Sequence, residues 1–187
     1  MLYTKPFSVD GACTISARCF KNGILPGAVV NQKIDSYKWH NAIATFVMPK
    51  QGLLYKAYEL ESDSVNDLQH SKAIKTGECK IISLNDSTRS LNFGLEFEGF
   101  FNATKDAVYT FYLTSDDGSV LWMDGEVLID NDGLHGDVEK SNRIALQKGL
   151  HRIKVAFAQA GGAATLKLLY STGKQSPKEI EAENLFH

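Results

Sequence analysis

The sequence has few cysteines, and their number and spacing exclude two common ways of stabilising a small domain. The 187 residues include three cysteines, Cys13, Cys19 and Cys79. An odd number without close CxxC spacing predicts neither a disulfide framework nor a zinc site. If residues 12–20 form one strand, Cys13 and Cys19 share a face of it, where they would pack as small apolar side chains. We therefore interpret these cysteines as packing residues.

The sequence also lacks a strong charge of one sign and a long apolar run. Its 20 Lys and Arg residues nearly balance its 22 Asp and Glu residues, which gives a formal net charge of -2. Without a basic cluster, nucleic acid is not an expected partner. No apolar run approaches the roughly 20 residues of a membrane-spanning helix. The first eleven residues lack the basic and apolar regions of a signal peptide, so we expect either a cytoplasmic protein or a part of a longer exported chain.

Motifs of nucleotide-binding and hydrolytic enzymes are absent as well. The sequence has no GxGxxG phosphate loop, no GxSxG nucleophile elbow and no spacing typical of a Ser/His/Asp or Cys/His nucleophile. One enzymatic alternative remains open, since two carboxylates about 5–10 Å apart can hydrolyse a glycoside. Asp116 with Asp130 or Asp132 would be that pair. We nevertheless expect a domain that is not an enzyme.

What the sequence does contain is alternation of apolar and polar residues over many short segments. Such alternation predicts half-buried strands. We expect them over residues 12–20, 28–34, 52–59, 91–101, 108–113, 120–123, 127–129, 144–146, 149–158 and 164–170. Nothing suggests the strand-helix alternation of a parallel sheet. The predicted fold class is therefore all-β, a two-sheet antiparallel β-sandwich or barrel with a short N-terminal β appendage.

Other segments predict the boundaries of this organisation. Lys21-Asn22-Gly23 predicts a turn, and Met48-Pro49-Lys50-Gln51-Gly52 predicts a break between domains. We therefore assign residues 1–47 to a first domain and residues 48–187 to a second. The polar residues 61–79 fit one short helix or a long loop. The polar residues 175–187 are expected to pack weakly.

Two acidic loops follow predicted strands in residues 109–136. The first is Asp116-Asp117-Gly118. Neighbouring carboxylates repel each other unless a cation or hydrogen-bond donors compensate. Because successive side chains of a strand point to opposite faces, both can reach one ion only where the backbone bends sharply, and a cis peptide bond is one such bend. The alternatives are a calcium site, since calcium prefers oxygen ligands, and a solvated turn.

The second acidic loop is Asp130-Asn131-Asp132-Gly133. It differs from a helix-flanked calcium loop because Leu128 occupies the first ligand place and the flanks are strands. It can still supply oxygen ligands, and a polar hairpin loop is the alternative.

Three other positions close to these loops are interpreted differently. Between the loops, Asp124-Gly125 predicts a type I′ hairpin turn rather than a ligand. His135 has no evident partner for acid-base catalysis and is interpreted as a surface or sugar-contacting residue. Trp122 is expected to pack in the core or between the sheets.

These segments resemble one known family. The sequence YTFYLTSDDGSVLWMDGEVLIDNDGLHG at residues 109–136 is similar to the central motif of the protective-antigen N-terminal (PA-fourteen) domain family. Residues 52–58, 148–157 and 164–170 resemble its opening and closing strands, so that the likeness covers about residues 50–172. The family implies a β-sandwich that serves as an accessory module of glycosidases, adhesins and toxins.

The resemblance also implies a ligand site. In sugar-binding members a cis-linked Asp-Asp pair binds calcium, which in turn binds sugar hydroxyls. This implies that Asp116 and Asp117 are metal ligands here, with Asn131 and Asp132 as the nearest candidates in the second loop. The implied sugar contacts are Asp116, Asp117, Asn131 and His135.

Residues 2–34 resemble the closing half of the small β-domain at the C-terminal side of chitobiase-like and β-hexosaminidase enzymes. The resemblance rests on YTKPF, a strand that ends in Ala17-Arg18, and a KNG turn. Together the two resemblances predict a non-catalytic, calcium-dependent carbohydrate-binding module of a larger exported glycoside hydrolase. Its expected partners are a glycan and an upstream catalytic domain, and its expected location is extracellular, periplasmic or at the cell surface. The alternative is a structural spacer or protein-interaction domain without sugar binding.

Overall fold

The computed structural model describes residues 2–9, 11–20, 27–44 and 49–187. The chain divides into two compact units, residues 1–38 and residues 39–187. The predicted Lys21-Asn22-Gly23 turn and the predicted boundary between residues 47 and 48 lie outside the described residues, so both stay predictions.

The first unit contains a two-stranded antiparallel sheet. Strand β1 (Cys13–Ala17) pairs with strand β2 (Val30–Ile34), with Cys13 opposite Ile34. Most side chains of both strands are exposed to solvent. Cys19 lies beyond the end of β1 and is exposed, so its expected packing role is wrong, whereas Cys13 is half-buried. The strand is shorter than predicted, and this changes the environment of Cys19.

The second unit is built almost entirely from strands. Its described residues form β3 (Trp39–His40), β4 (Leu53–Glu59), β5 (Ala73–Cys79), β6 (Phe93–Ala103), β7 (Ala107–Asp116), β8 (Ser119–Met123), β9 (Glu126–Asn131), β10 (Val138–Leu146), β11 (Gly149–Gln159), β12 (Thr165–Thr172), β13 (Lys178–Glu179) and β14 (Leu185–Phe186). Three short 3-10 helices, Val65–His70, Leu84–Asp86 and Ala182–Asn184, lie between strands. No helix in the described part of the chain has the length and apolar character that a membrane crossing requires.

The strands of the second unit form two sheets. The smaller has the order β13-β12-β7-β10-β3 and the larger β5-β4-β6-β11-β8-β9, with β14 also paired to β6. Every pair in the two sheets is antiparallel except β10 and β3, which are parallel. The predicted all-β, two-sheet class is therefore confirmed. The hairpin between β8 and β9 turns at Asp124 (φ 49°) and Gly125 (φ 85°), and two positive φ angles are the signature of the predicted type I′ turn.

The main core lies between the sheets and is formed by inward-facing residues of both. An aromatic cluster lies within it: the ring of Phe101 packs edge-on against Tyr109, Phe111 and Tyr170, with centroids 5.6, 5.4 and 5.4 Å away. Edge-to-face packing at such distances is favourable beyond the burial of apolar area. The two sheets are therefore joined by tightly packed rings.

A second, smaller apolar cluster includes residues of the larger sheet that alternate with those of the main core. The 3-10 helix Val65–His70 contributes Val65 and Leu68, which pack with Val120 and Ala156. Trp122 packs against this cluster, with the ammonium of Lys154 5.4 Å from its ring centroid. Trp122 therefore packs against a core cluster, one of the two places expected for it, and not between the two sheets. Residues 61–79 also hold more structure than predicted, because β5 follows the helix.

Residues 175–187 pack more firmly than their polarity predicts. Ile180 and Leu185 are 6% and 1% exposed and belong to the main core. Backbone hydrogen bonds join Lys50 and His187 in both directions, at 2.9 and 2.7 Å. Two apolar residues among many polar ones are enough to fix this segment, which is why its average composition is misleading.

His151 is a buried ionisable residue on β11, and both of its ring nitrogens face acceptors. Nδ1 lies 2.8 Å from Asp124 Oδ2, and Nε2 lies 2.8 Å from the Gln147 carbonyl oxygen. Both nitrogens can donate only when the ring is protonated. Burial opposes protonation, but the hydrogen bonds to Asp124 and Gln147 raise the pKa of His151 above its ordinary value.

We predict that the stability of the domain depends on His151 and on pH. Because the folded-state pKa of His151 is raised, its contribution is complete below the pKa of the unfolded chain, about 6.5, and is lost as pH rises through the folded-state pKa. Replacing His151 by glutamine should cost about 1.5–3 kcal/mol at pH 6, as expected for hydrogen bonds to charged groups, and less at pH 9. Urea unfolding at both pH values measures this difference. An equal loss at both would contradict the protonated ring.

Candidate functional site

The acid pair lies where β7 ends and the chain turns into β8. The peptide bond between Asp116 and Asp117 is cis, as the resemblance implied. Asp116 is half-exposed, and its side chain makes no hydrogen bond or ion pair with a described residue. Asp117 is 2% exposed. One carboxylate of the pair is therefore accessible and the other lies within the protein.

Asp117 is held by the loop between β11 and β12. Its amide nitrogen donates to Gln159 Oε1 at 3.0 Å, and its Oδ2 accepts from the amide nitrogens of Ala160 and Gly161 at 3.0 and 3.5 Å. Gln159 is fully buried and donates from Nε2 to the carbonyl oxygens of Gly161 and Ala163. The remaining carboxylate oxygen of Asp117, Oδ1, accepts nothing from the described residues. Asp117 is thus anchored through one oxygen only.

Asn131, at the end of β9, has a buried acceptor without a partner. The residue is 0% exposed, and its Nδ2 donates to Ser115 Oγ at 2.9 Å and to the Val138 carbonyl oxygen at 3.0 Å. Its Oδ1 is buried and accepts no hydrogen bond from the described part of the chain. Buried polar atoms are almost always satisfied, so an orphaned oxygen suggests an ion or a ligand.

Asp132 holds the second acidic loop to another segment. Its carboxylate accepts from Val65 N at 2.8 Å, Ser64 Oγ at 2.7 Å and Asn66 Nδ2 at 3.3 Å. These donors lie at the start of the 3-10 helix Val65–His70. The carboxylate of Asp132 is therefore already committed within the protein, and its role as a metal ligand stays a prediction.

Three segments meet at Gly118: the turn that carries the acid pair, the second acidic loop, and residues 63–66 at the start of the 3-10 helix. A Cβ atom on this residue would lie 2.6 Å from the Asp63 carbonyl oxygen, 2.7 Å from Asp132 Oδ1 and 2.8 Å from the Gly133 amide nitrogen. Only a glycine allows such close approach of the surrounding backbone. Gly118, the residue after the acid pair, thus packs against Asp132, Gly133 and Asp63. The shared metal site of the two acidic loops stays a prediction.

His135 holds the second acidic loop through both of its ring nitrogens. Its Nδ1 lies 2.8 Å from the Gly136 carbonyl oxygen and its Nε2 lies 2.9 Å from the Asn131 carbonyl oxygen. Partial burial lowers the pKa of His135, but these two hydrogen bonds and the charge of Asp117 raise it above the ordinary value overall. Because both nitrogens are engaged, the ring fixes the loop, and its predicted contact with a sugar stays a prediction.

The oxygen atoms of this region suit a hard cation better than a transition metal. Among the described residues, no three or more His, Cys, Asp or Glu side chains form a group that could hold a metal ion. Calcium, however, also takes amide, carbonyl and water oxygens, six to eight in all. Asp116, Asp117 Oδ1 and Asn131 Oδ1 offer such oxygens without breaking a hydrogen bond. These residues fit calcium, although the protein would supply only part of its ligand shell.

Two anchoring residues were not predicted from the sequence. Ser115 lies on β7, on the face that carries Tyr109, Phe111 and Leu113 into the core, and is 0% exposed. A serine at an inward position of an apolar strand was the available signal. Gln159 is the last residue of β11, and its role depends on its contact with Asp117, which is distant in sequence.

The architecture and the loops define a class of protein, a two-sheet β-sandwich with an oxygen-rich site between its loops. The model of the PA14 domain family matches residues 49–184, so the chain belongs to that family. The match begins after residues 2–34, whose resemblance to chitobiase-like enzymes stays a prediction.

One curated protein is similar to this chain in sequence. Anti-sigma-I factor RsgI3 of Acetivibrio thermocellus is 33% identical over 105 residues, which are 56% of this chain and 16% of that protein. The chain thus spans about a sixth of the length of this curated relative.

Two solved structures have the same fold. The PA14 sugar-binding domain from an RTX adhesin has a TM-score of 0.63 and 17% identity, over 74% of this chain and 99% of that one. The epithelial adhesin 6 A domain from Candida glabrata, solved in complex with Galb1-3GlcNAc, has a TM-score of 0.55 and 14% identity, over 75% and 88%.

Proposed function

We propose that this domain is a non-catalytic, calcium-dependent carbohydrate-binding module. The observation that carries the proposal is the buried Oδ1 of Asn131, which has no partner among the described residues. Asn131 directly precedes Asp132 and Gly133, which pack against Gly118 beside the acid pair. Leaving a buried acceptor without a hydrogen bond is costly, so a loop with a purely structural role would be expected to pair this oxygen. The sugar-binding adhesin domains of the same fold support the second half of the proposal.

Each residue of the site has its own role in this proposal. Asp116, Asp117 and Asn131 hold the ion through side-chain oxygens, and their two carboxylates neutralise its charge. Asp132, the fourth predicted ligand, serves the site by holding residues 64–66 against the loop. His135 keeps the loop closed and forms part of the wall that faces the sugar. When bound, calcium offers coordination places to vicinal hydroxyl groups of a sugar.

The parent protein has two candidate types. The resemblance of residues 2–34 to chitobiase-like enzymes favours an exported glycoside hydrolase, with this domain extracellular, periplasmic or at the cell surface and beside an upstream catalytic domain. The similarity to the anti-sigma-I factor favours instead a regulatory protein in which the domain senses a glycan. At 33% identity, this relative is more similar in sequence than the two adhesin domains described above, which are 17% and 14% identical. In both cases the domain binds and does not catalyse.

Calcium titration tests the metal half of the proposal. We expect calcium to bind and to raise Tm, and Asp116→Asn to weaken the binding by about tenfold or more, since calcium affinity follows the number of charged ligands. The side chain of Asp116 has no partner among the described residues, so Tm without calcium should be unchanged. Asp137→Asn, which removes an exposed charge from the same region, is the matched control. Equal effects of the two variants would reject the assignment of Asp116.

Sugar titration tests the second half. Galactose, glucose, mannose and Galb1-3GlcNAc are titrated calorimetrically with calcium and then with a chelator. We expect weak binding that requires the metal, because a single site buries few atoms. Calcium stabilisation without any sugar binding would favour a structural spacer or protein-interaction domain. Sugar binding that is unchanged by the chelator would reject the calcium mechanism.

A further inference from the structure

We propose that Ser115 is a positioning residue of the calcium site, because it acts with the Val138 carbonyl to hold the Asn131 amide so that its oxygen is free for the ion. This inference rests on the proposed function. Ser115 is not a ligand in this proposal, and it acts only through Asn131. Groups that orient metal ligands in this way commonly change metal affinity by 10- to 100-fold.

The orientation of the Asn131 amide follows from its two partners. Nδ2 lies 2.9 Å from Ser115 Oγ and 3.0 Å from the Val138 carbonyl oxygen. A carbonyl oxygen can only accept, so the NH2 group must face Val138. The NH2 group donates its second hydrogen to Ser115, and both donors are then used. Oδ1 is consequently turned away from both partners and is left as the unpaired acceptor.

Ser115 is itself fixed by a buried neighbour. Ser115 Oγ and Ser119 Oγ are 2.7 Å apart, and Ser115, Ser119 and Asn131 are each 0% exposed. Water therefore has no direct access to replace a lost hydroxyl group. The chain of contacts runs from Ser119 through Ser115 to Asn131, and only the last step touches a proposed ligand.

This arrangement provides two variants that differ in one contact. Ser119→Ala removes the bond between the two hydroxyl groups and leaves the contact of Ser115 with Asn131 in place. Ser115→Ala removes both. In Ser115→Ala one amide hydrogen of Asn131 loses its acceptor, while the Val138 carbonyl still holds the other. The expected loss of calcium affinity in Ser115→Ala is therefore near the lower end of the 10- to 100-fold range.

Calorimetric calcium titration of the full 187-residue chain tests the proposal. We expect Ser115→Ala to weaken calcium binding about tenfold and Ser119→Ala to change it by less than about twofold. Without calcium, both should lower Tm, and Ser115→Ala should lower it more because it loses two hydrogen bonds. Ser115→Cys keeps the size of the side chain but offers only a weak acceptor, so its calcium affinity should lie between those of the unmodified chain and Ser115→Ala. It replaces Ser115→Ala in the test if that variant does not fold. Equal calcium affinities in the serine variants would overturn the proposal. Failure of the unmodified chain to bind calcium would instead reject the proposed function, and this inference with it.

A second measurement needs no metal. The side-chain NH2 signals of Asn131 should exchange slowly with solvent in the unmodified protein, because both hydrogens are bonded and buried. Ser115→Ala should speed this exchange, whereas Ser119→Ala should leave it slow. If the substitutions only loosened the fold, the Asn131 NH2 exchange would be equally fast in Ser115→Ala and Ser119→Ala. That result would also overturn the proposal.

Discussion

Replacing Gly118 by alanine is expected to damage stability and calcium binding together. The new Cβ would lie 2.6, 2.7 and 2.8 Å from the Asp63 carbonyl, the Asp132 carboxylate and the Gly133 amide. Two of these atoms belong to the backbone and cannot rotate away, so the loops must separate. Overpacking of this kind costs about 1–3 kcal/mol. Because the separated loops carry Asp117 and Asn131, calcium should also bind more weakly, and both effects are measurable by thermal unfolding and calorimetric titration.

Gly136 is the matched control for this substitution. It lies in the same region, and a Cβ atom there would meet nothing within 4 Å. Gly136→Ala should leave both Tm and calcium affinity nearly unchanged. If Gly118→Ala behaves in the same way, the three segments do not meet as described.

The largest loss of stability is expected for Phe101→Ala. Phe101 is 1% exposed, and its ring packs edge-on against Tyr109, Phe111 and Tyr170. These three partners lie on the opposite sheet, so the substitution opens a cavity at the junction of both layers. Such a truncation costs about 3–5 kcal/mol. At about 2–4 °C per kcal/mol for a chain of this size, Tm should fall by roughly 10 °C.

Leu134→Ala is a suitable comparison for the core substitution. Leu134 is a large apolar residue but is 70% exposed. Its truncation removes little buried area and should change the free energy of unfolding by less than about 0.5 kcal/mol. A similar loss for both variants would show that Phe101 does not lie between the sheets.

The fold class could be predicted because alternation is a local property. The alternation in residues 91–101 puts Phe93, Leu95 and Phe97 on one face of β6, and all three are in the main core. Trp122 also alternates within its strand, but alternation does not say what covers either face of the sheet. Val65 and Leu68 belong to a segment whose average polarity conceals them, and they cover the face on which Trp122 lies.

The site could be predicted only in part for a similar reason. Asp116 and Asp117 were recognisable because they are adjacent in sequence and fit a known motif. The bonds from Asp117 to Gln159 and from Asp132 to Val65 join residues that are 42 and 67 positions apart. Neither spacing has a sequence signature. Asp132 illustrates the consequence. Its residue type suggests a metal ligand, but the sequence does not show that its carboxylate already accepts hydrogen bonds from residues 64–66.

The way His135 braces its loop leaves the neighbouring position open to variation. The imidazole joins the carbonyls on either side of Leu134, whereas the leucine side chain itself extends largely into solvent. Evolution or a designed library could therefore exchange residue 134 for aromatic, polar or basic types while the backbone beneath it stays in place. Selectivity among ligands could then diverge rapidly between homologues whose frameworks remain superimposable.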